Sequence, residues 1–153
     1  MNSDIVNPFV EATLDVMKNM AQLDATLGKA SLKQSEIAQA STSGFIELIG
    51  STPGTLSISF CDKAIMRIYE NMLGDILESI DHSALDLVGE FTNMVCGGAK
   101  QRLSQKGYDF SLSQPKILSG KDHAIEHIRG CPVLTLPLEM SPGNIFIEVG
   151  MSR

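Results

Sequence analysis

The chain has 153 residues, is 43% hydrophobic and 20% charged, lacks tryptophan, and carries a net charge of −6. This is the balance of one ordinary globular domain over residues 1–153 with an aliphatic core, and its acidity without a basic cluster argues against nucleic-acid or membrane-surface binding. Three scattered cysteines (Cys61, Cys96, Cys131), no basic-then-apolar start and no span-length apolar run point to a reduced, cytoplasmic protein.

Asn7-Pro8 opens the first expected helix, since Asn is a good N-cap and Pro is tolerated at the first helical position. Phe9, Leu14 and Met17 recur at helical spacing toward Leu27, with Gly28 as the stop. Residues 30–60 read as strands, with Gly44 to Ile49 and Thr55 to Phe60 alternating around the Pro53-Gly54 turn. Asp62 caps a short helix holding Ile65, Ile68, Tyr69, Met72 and Leu73. A long helix is expected from Ser83 to Lys106, with Leu85, Val88, Val95, Ala99 and Leu103 apolar and Gly107 as its stop. Strands then follow over 108–118, 132–140 and 144–151, the last turn being Pro142-Gly143.

The chain repeats itself. Pro53-Gly54 before Thr55-Leu56-Ser57-Ile58 resembles Pro142-Gly143 before Asn144-Ile145-Phe146-Ile147, and each half reads as a helix ending in glycine followed by three strands. The expected fold is therefore α/β: two long helices on a largely antiparallel sheet of about six strands, with a pseudo-twofold internal repeat.

On the long helix, Asp86, Glu90, Asn93, Gly97 and Lys100 share one narrow polar stripe opposite Val88, Val95 and Ala99. Glycines at 89, 97 and 98 each cost a helix roughly 1 kcal/mol relative to Ala. Small residues on this stripe let another backbone approach. The plainer account is a solvated helix face, with Asp86 as the capping-box partner of Ser83.

Asp86-x3-Glu90-x2-Asn93, followed by Pro115, resembles the signature of the CheC, CheX and FliY family of chemotaxis phosphatases. The segment from Gly89 to Lys100 is similar to the CheX helix. The resemblance implies dephosphorylation of a phosphorylated CheY-like receiver domain, with Glu90 and Asn93 catalytic and Asp86, Gly97 and Pro115 at the docking face. It implies no cofactor of the chain's own, Mg²⁺ coming with the receiver, and a homodimer joined through sheet edges. In the first half the corresponding positions are Asn7, Glu11, Leu14 and Glu36. Leu14 replaces the amide and Glu36 the proline, so one active site per chain is expected. Two other readings stand beside this one: a receiver-binding adaptor without turnover, and a structural module related to the flagellar switch.

His123, His127 and Cys131 recur every four residues, which invites a metal reading, but no fourth ligand is near and a polar loop explains them. Metal is therefore not expected. Cys96 lies beside the apolar stripe as a buried, inert thiol, and Cys61, at a strand end, reads the same way. Gly97-Gly98 lies within a helix rather than after a strand and is no nucleotide fingerprint.

Overall fold

Side chains alternate along the four long strands, and this period decides what meets the helices. A computed structural model describes residues 3–50 and 52–152. Its elements are α1 (Ser3–Asn19), β1 (Thr26–Leu27), β2 (Ser31–Leu32), β3 (Thr42–Gly50), β4 (Gly54–Phe60), α2 (Asp62–Leu73), α3 (His82–Gln105), β5 (Phe110–Leu112), β6 (Lys116–Ser119), β7 (Val133–Glu139) and β8 (Ile145–Met151). All strands pair antiparallel in one sheet ordered β1-β7-β8-β4-β3-β5, with β2 also on β7 and β6 also on β3. Ile46, Leu56, Ile58, Leu138, Ile147 and Val149 form the apolar core with Phe9, Met17, Phe91, Val95 and Leu103 of α1 and α3.

Three helices are expected, two of them long, and three are found, but the sheet has eight strands rather than about six. The run expected over 108–118 is broken around Pro115, which has no N–H to donate, and so yields β5 and β6. Residues expected to end the first helix instead form β1 against β7, and β2, within the run expected as strands, pairs with β7 as well. That helix also starts earlier than Asn7, with Pro8 inside it. Burial of Ile5 and Val6 holds the turn ahead of the proline. It stops before Gly28 because Gln22 turns left-handed at φ 56, with Leu23 N–H donating to the Met17 carbonyl.

The internal repeat is visible in the pairing. Each half is a helix, two short strands and a hairpin, rather than a helix and three strands, and α2 joins the halves. The short strands of each half flank the other half's hairpin: β1 and β2 lie on β7, β5 and β6 on β3. The offset that relates Pro53 to Pro142 also relates Ile58 to Ile147, and these two residues pair with one another between β4 and β8. A pseudo-twofold axis at the sheet centre follows.

The face of the sheet away from the helices is polar and still buried. Ser43, Thr55, Ser57, Ser59 and Glu148 point there, under segments 33–41 and 120–131, which meet at an Ile37–Ala124 bridge. Glu148 accepts from Lys33 Nζ at 2.6 Å and from Ser57 Oγ at 3.3 Å, and lies 3.0 Å from His127 Nε2. His127 Nδ1 is 2.8 Å from Thr55 Oγ1, and His123 Nε2 is 2.7 Å from Ser43 Oγ. Burial pushes the Glu148 carboxyl up, but hydrogen bonds from His127 and Lys33, with the Lys33 charge, outweigh it and hold the group below the usual range.

Candidate functional site

The long helix starts where an aspartate can cap it. Asp81 is extended and its Oδ1 accepts from Ala84 N–H at 3.2 Å. The capping-box role considered for Asp86 with Ser83 is therefore not the one found. Asp86 instead lies 3.5 Å from His82, both side chains being exposed, so it remains available on the surface.

Alternation on α3 then sorts the residues. Leu87, Val88, Phe91, Thr92, Val95, Cys96, Ala99 and Leu103 are buried, whereas Asp86, Glu90, Asn93, Gly97 and Lys100 are exposed. The five stripe residues thus lie together on one outer face. Among the described residues no side chain hydrogen-bonds or ion-pairs with Glu90 or Asn93. Burial pushes the Cys96 thiol up to about 12, in keeping with an inert core residue. Cys61 is half-buried ahead of α2 and faces Gly143, where a Cβ would collide with its Sγ.

The three glycines of α3 differ from one another. A Cβ at Gly97 would meet nothing within 4 Å. At Gly98 it would lie 3.3 Å from Ala12 Cβ, where α1 and α3 cross closely. At Gly89 it would lie 3.6 Å from Ile117 Cδ1 on β6, an ordinary contact. Only Gly97 combines the helix penalty with open space. Pro115, half-buried between β5 and β6, precedes the strand whose Ile117 touches α3 at Gly89.

The equivalent face of α1 is differently occupied. Arg102 of α3 reaches across to Asp15 and lies 3.6 Å from Glu11, while its Nη1 donates to the Gly98 carbonyl. Leu14 is half-buried against the core, Asn7 is exposed, and Glu36 is exposed on a covering segment far from α1 in sequence. The first-half acid is therefore committed to an internal ion pair, with no amide beside it.

His123 and His127 are engaged separately by Ser43 and by Thr55 with Glu148, and no group of three or more His, Cys, Asp or Glu among the described residues is placed to hold a metal. Both lie in a loop, as read, but the polar-loop reading missed the burial of His127. Glu148, which interrupts the apolar β8, was the sequence signal for that layer. Among the described residues no helix is long and apolar enough to cross a membrane.

Residues 42–139 match the sequence model of the family described as Chemotaxis phosphatase CheX. A crystal structure of a CheC-like superfamily protein from Shewanella sp. PV-4 is 42% identical, covers all of both chains and superposes with a TM-score of 0.94. The CheY-P phosphatase CheX of Thermotoga maritima is 24% identical over 141 residues, 92% of this chain and 90% of that protein. The CheX–CheY–BeF3–Mg²⁺ complex of Borrelia burgdorferi is similar in fold, at 19% identity and a TM-score of 0.83 over 99% of this chain and 100% of that one.

Proposed function

This chain belongs to the CheX family of chemotaxis phosphatases, and from that premise we propose that it hydrolyses the aspartyl phosphate of a CheY-like receiver domain, acting through Asn93 and Glu90. The observation that carries this reading is the contrast between the two halves. Glu90 and Asn93 are exposed on α3 without a partner among the described residues, whereas Glu11 is tied to Arg102 and Leu14 stands in the amide's place.

An aspartyl phosphate is already reactive, so the helper's task is to place a water in line with the leaving carboxylate. The Asn93 carboxamide oxygen accepts from that water, and its NH₂ group donates to a phosphoryl oxygen. The water oxygen bonds to phosphorus, the P–O bond to the aspartate breaks, and inorganic phosphate and a free carboxylate result. Glu90 pairs with a lysine of the receiver and orients the docked helix. Asp86 and Pro115 border the docking face. The magnesium in the Borrelia CheX–CheY complex accords with a receiver that brings its own cation, and this chain supplies none. The protein works in the cytoplasm as one domain. Exposed Leu27 and Leu32 on the outer strands favour pairing of two copies through sheet edges.

The test is phosphate release from a panel of phosphorylated CheY-like receivers, with and without the chain. Faster release is the expected result. Binding without release would favour the adaptor reading, and neither would sink both.

Gly97 gives a test of the docking face itself. Gly97→Leu projects into open space, so the melting temperature should hold or rise, helix propensity favouring leucine by about 1 kcal/mol. Affinity for the phosphorylated receiver should fall about tenfold or more, as expected when overpacking costs about 1–3 kcal/mol. A folded Gly97→Leu protein with unchanged affinity would put the docking face elsewhere.

A further inference from the structure

The face of α3 opposite Asn93 rests on the sheet at a glycine. Gly44 of β3 is buried, and a Cβ built there would overlap Thr92 Oγ1 and lie 3.0 Å from Thr92 Cβ. Thr92 is wholly buried, and its hydroxyl donates to the Val88 carbonyl at 2.7 Å. Its side chain therefore fills the space that any other residue at position 44 would need. Two more contacts hold the same stretch of helix, Gly89 against Ile117 of β6 and Gly98 against Ala12 of α1. Together the three contacts bracket Glu90 and Asn93.

The repeat makes this seat one-sided. Across the sheet, Gly44 pairs with Ile58, Ile58 with Ile147, and Ile147 with Leu136. The axis between Ile58 and Ile147 thus relates Gly44 to Leu136. Thr13 on α1 repeats Thr92, with the same 2.7 Å hydrogen bond to the carbonyl four residues before it. The helix that carries the exposed amide rests on the other half's β3, which has glycine at this position, and the position that the axis relates to it on β7 has leucine.

On the reading that Asn93 acts on a docked aspartyl phosphate, we infer that Gly44 is a positioning residue for this reaction. By leaving room for Thr92 it sets how deeply α3 lies on β3, and so where the neighbouring Asn93 meets the phosphoryl group. A side chain at position 44 lifts the helix without altering any exposed residue. In-line attack is sensitive to such shifts, since a displacement of about 1 Å can cost on the order of 100-fold in rate.

The experiment uses the full chain and a CheY-like receiver charged either with phosphate or with beryllofluoride. Gly44→Ala should lower turnover at saturating receiver about tenfold or more, while affinity for the beryllofluoride form changes less than about threefold. Adding Thr92→Ala removes the overlapping Oγ1 and the Cγ2, leaving only the Cβ at 3.0 Å, and should bring turnover back to within about threefold of Thr92→Ala alone, the non-additivity expected of touching residues. A folded Gly44→Ala protein with wild-type turnover, or a loss that Thr92→Ala does not relieve, overturns the inference. If Gly44→Ala does not fold, Thr92→Val tests the seat from the helix side by putting a methyl group where the hydroxyl lies. It should lower turnover where Thr92→Ser does not, and equal rates for the two overturn the inference. Absence of turnover in the unaltered chain would instead overturn the phosphatase reading, and the positioning role with it.

Discussion

Asn93→Ala is expected to lower turnover of the phosphorylated receiver by about 100-fold or more, the usual size of losing one well-placed polar group at the reacting centre. The side chain is exposed and has no partner among the described residues, so neither the fold nor the melting temperature should change. Affinity for a beryllofluoride-charged receiver should stay within about threefold, because an uncharged amide contributes little to docking compared with the charge pair at Glu90. Phosphate release under saturating receiver, set beside a binding titration, separates the two effects. Glu90→Ala should differ in kind by weakening the complex as well as the rate. Wild-type turnover in Asn93→Ala would remove the water-positioning role, whatever Glu90→Ala did.

How far this site could be read beforehand follows from where its partners lie. The stripe on α3 is a local pattern, because residues three and four apart on a helix share a face whatever the rest of the chain does. Asp86, Glu90, Asn93 and Gly97 were legible for that reason, and the structure has all four exposed together. Gly44 was not legible as anything but a strand residue, because its meaning depends on Thr92, which only the packing of α3 on β3 brings near. The first short strand was missed for a similar reason. β1 is two residues long and exists because β7 offers an edge to pair with, so no period of its own announces it. The repeat was legible in the two Pro-Gly turns, yet not the exchange by which each half's short strands complete the other's hairpin.

The buried polar layer shows the same limit and gives the largest effect expected on stability. Lys33 and Glu148 stand 115 positions apart in sequence, and nothing local marks them as a pair. Both side chains are almost wholly buried, 4% and 0% exposed, and His127 beside them is equally enclosed. Glu148→Ala would leave Lys33 and His127 facing a site with no carboxylate, and breaking such a pair from one side costs about 3–5 kcal/mol. For a chain of this length that lowers the melting temperature by roughly 10 °C. The substitution should also loosen both covering segments at once, because Lys33 enters from one and His127 from the other. Hydrogen exchange at residues 33–41 and 120–131 would rise together. Lys33→Ala in the same background removes the stranded charge and should recover part of the loss, as coupled partners do. The wild-type pH profile has a fixed sign. The folded carboxyl titrates below its ordinary 4.5, so its contribution is fully present above that value and is lost as pH falls through it toward the folded value. The acid limb of the stability curve should therefore flatten in Glu148→Ala. A melting temperature within about 2 °C of wild type, less than the shift from 1 kcal/mol in a protein of this size, would mean that Glu148 is not what fastens these segments to the sheet.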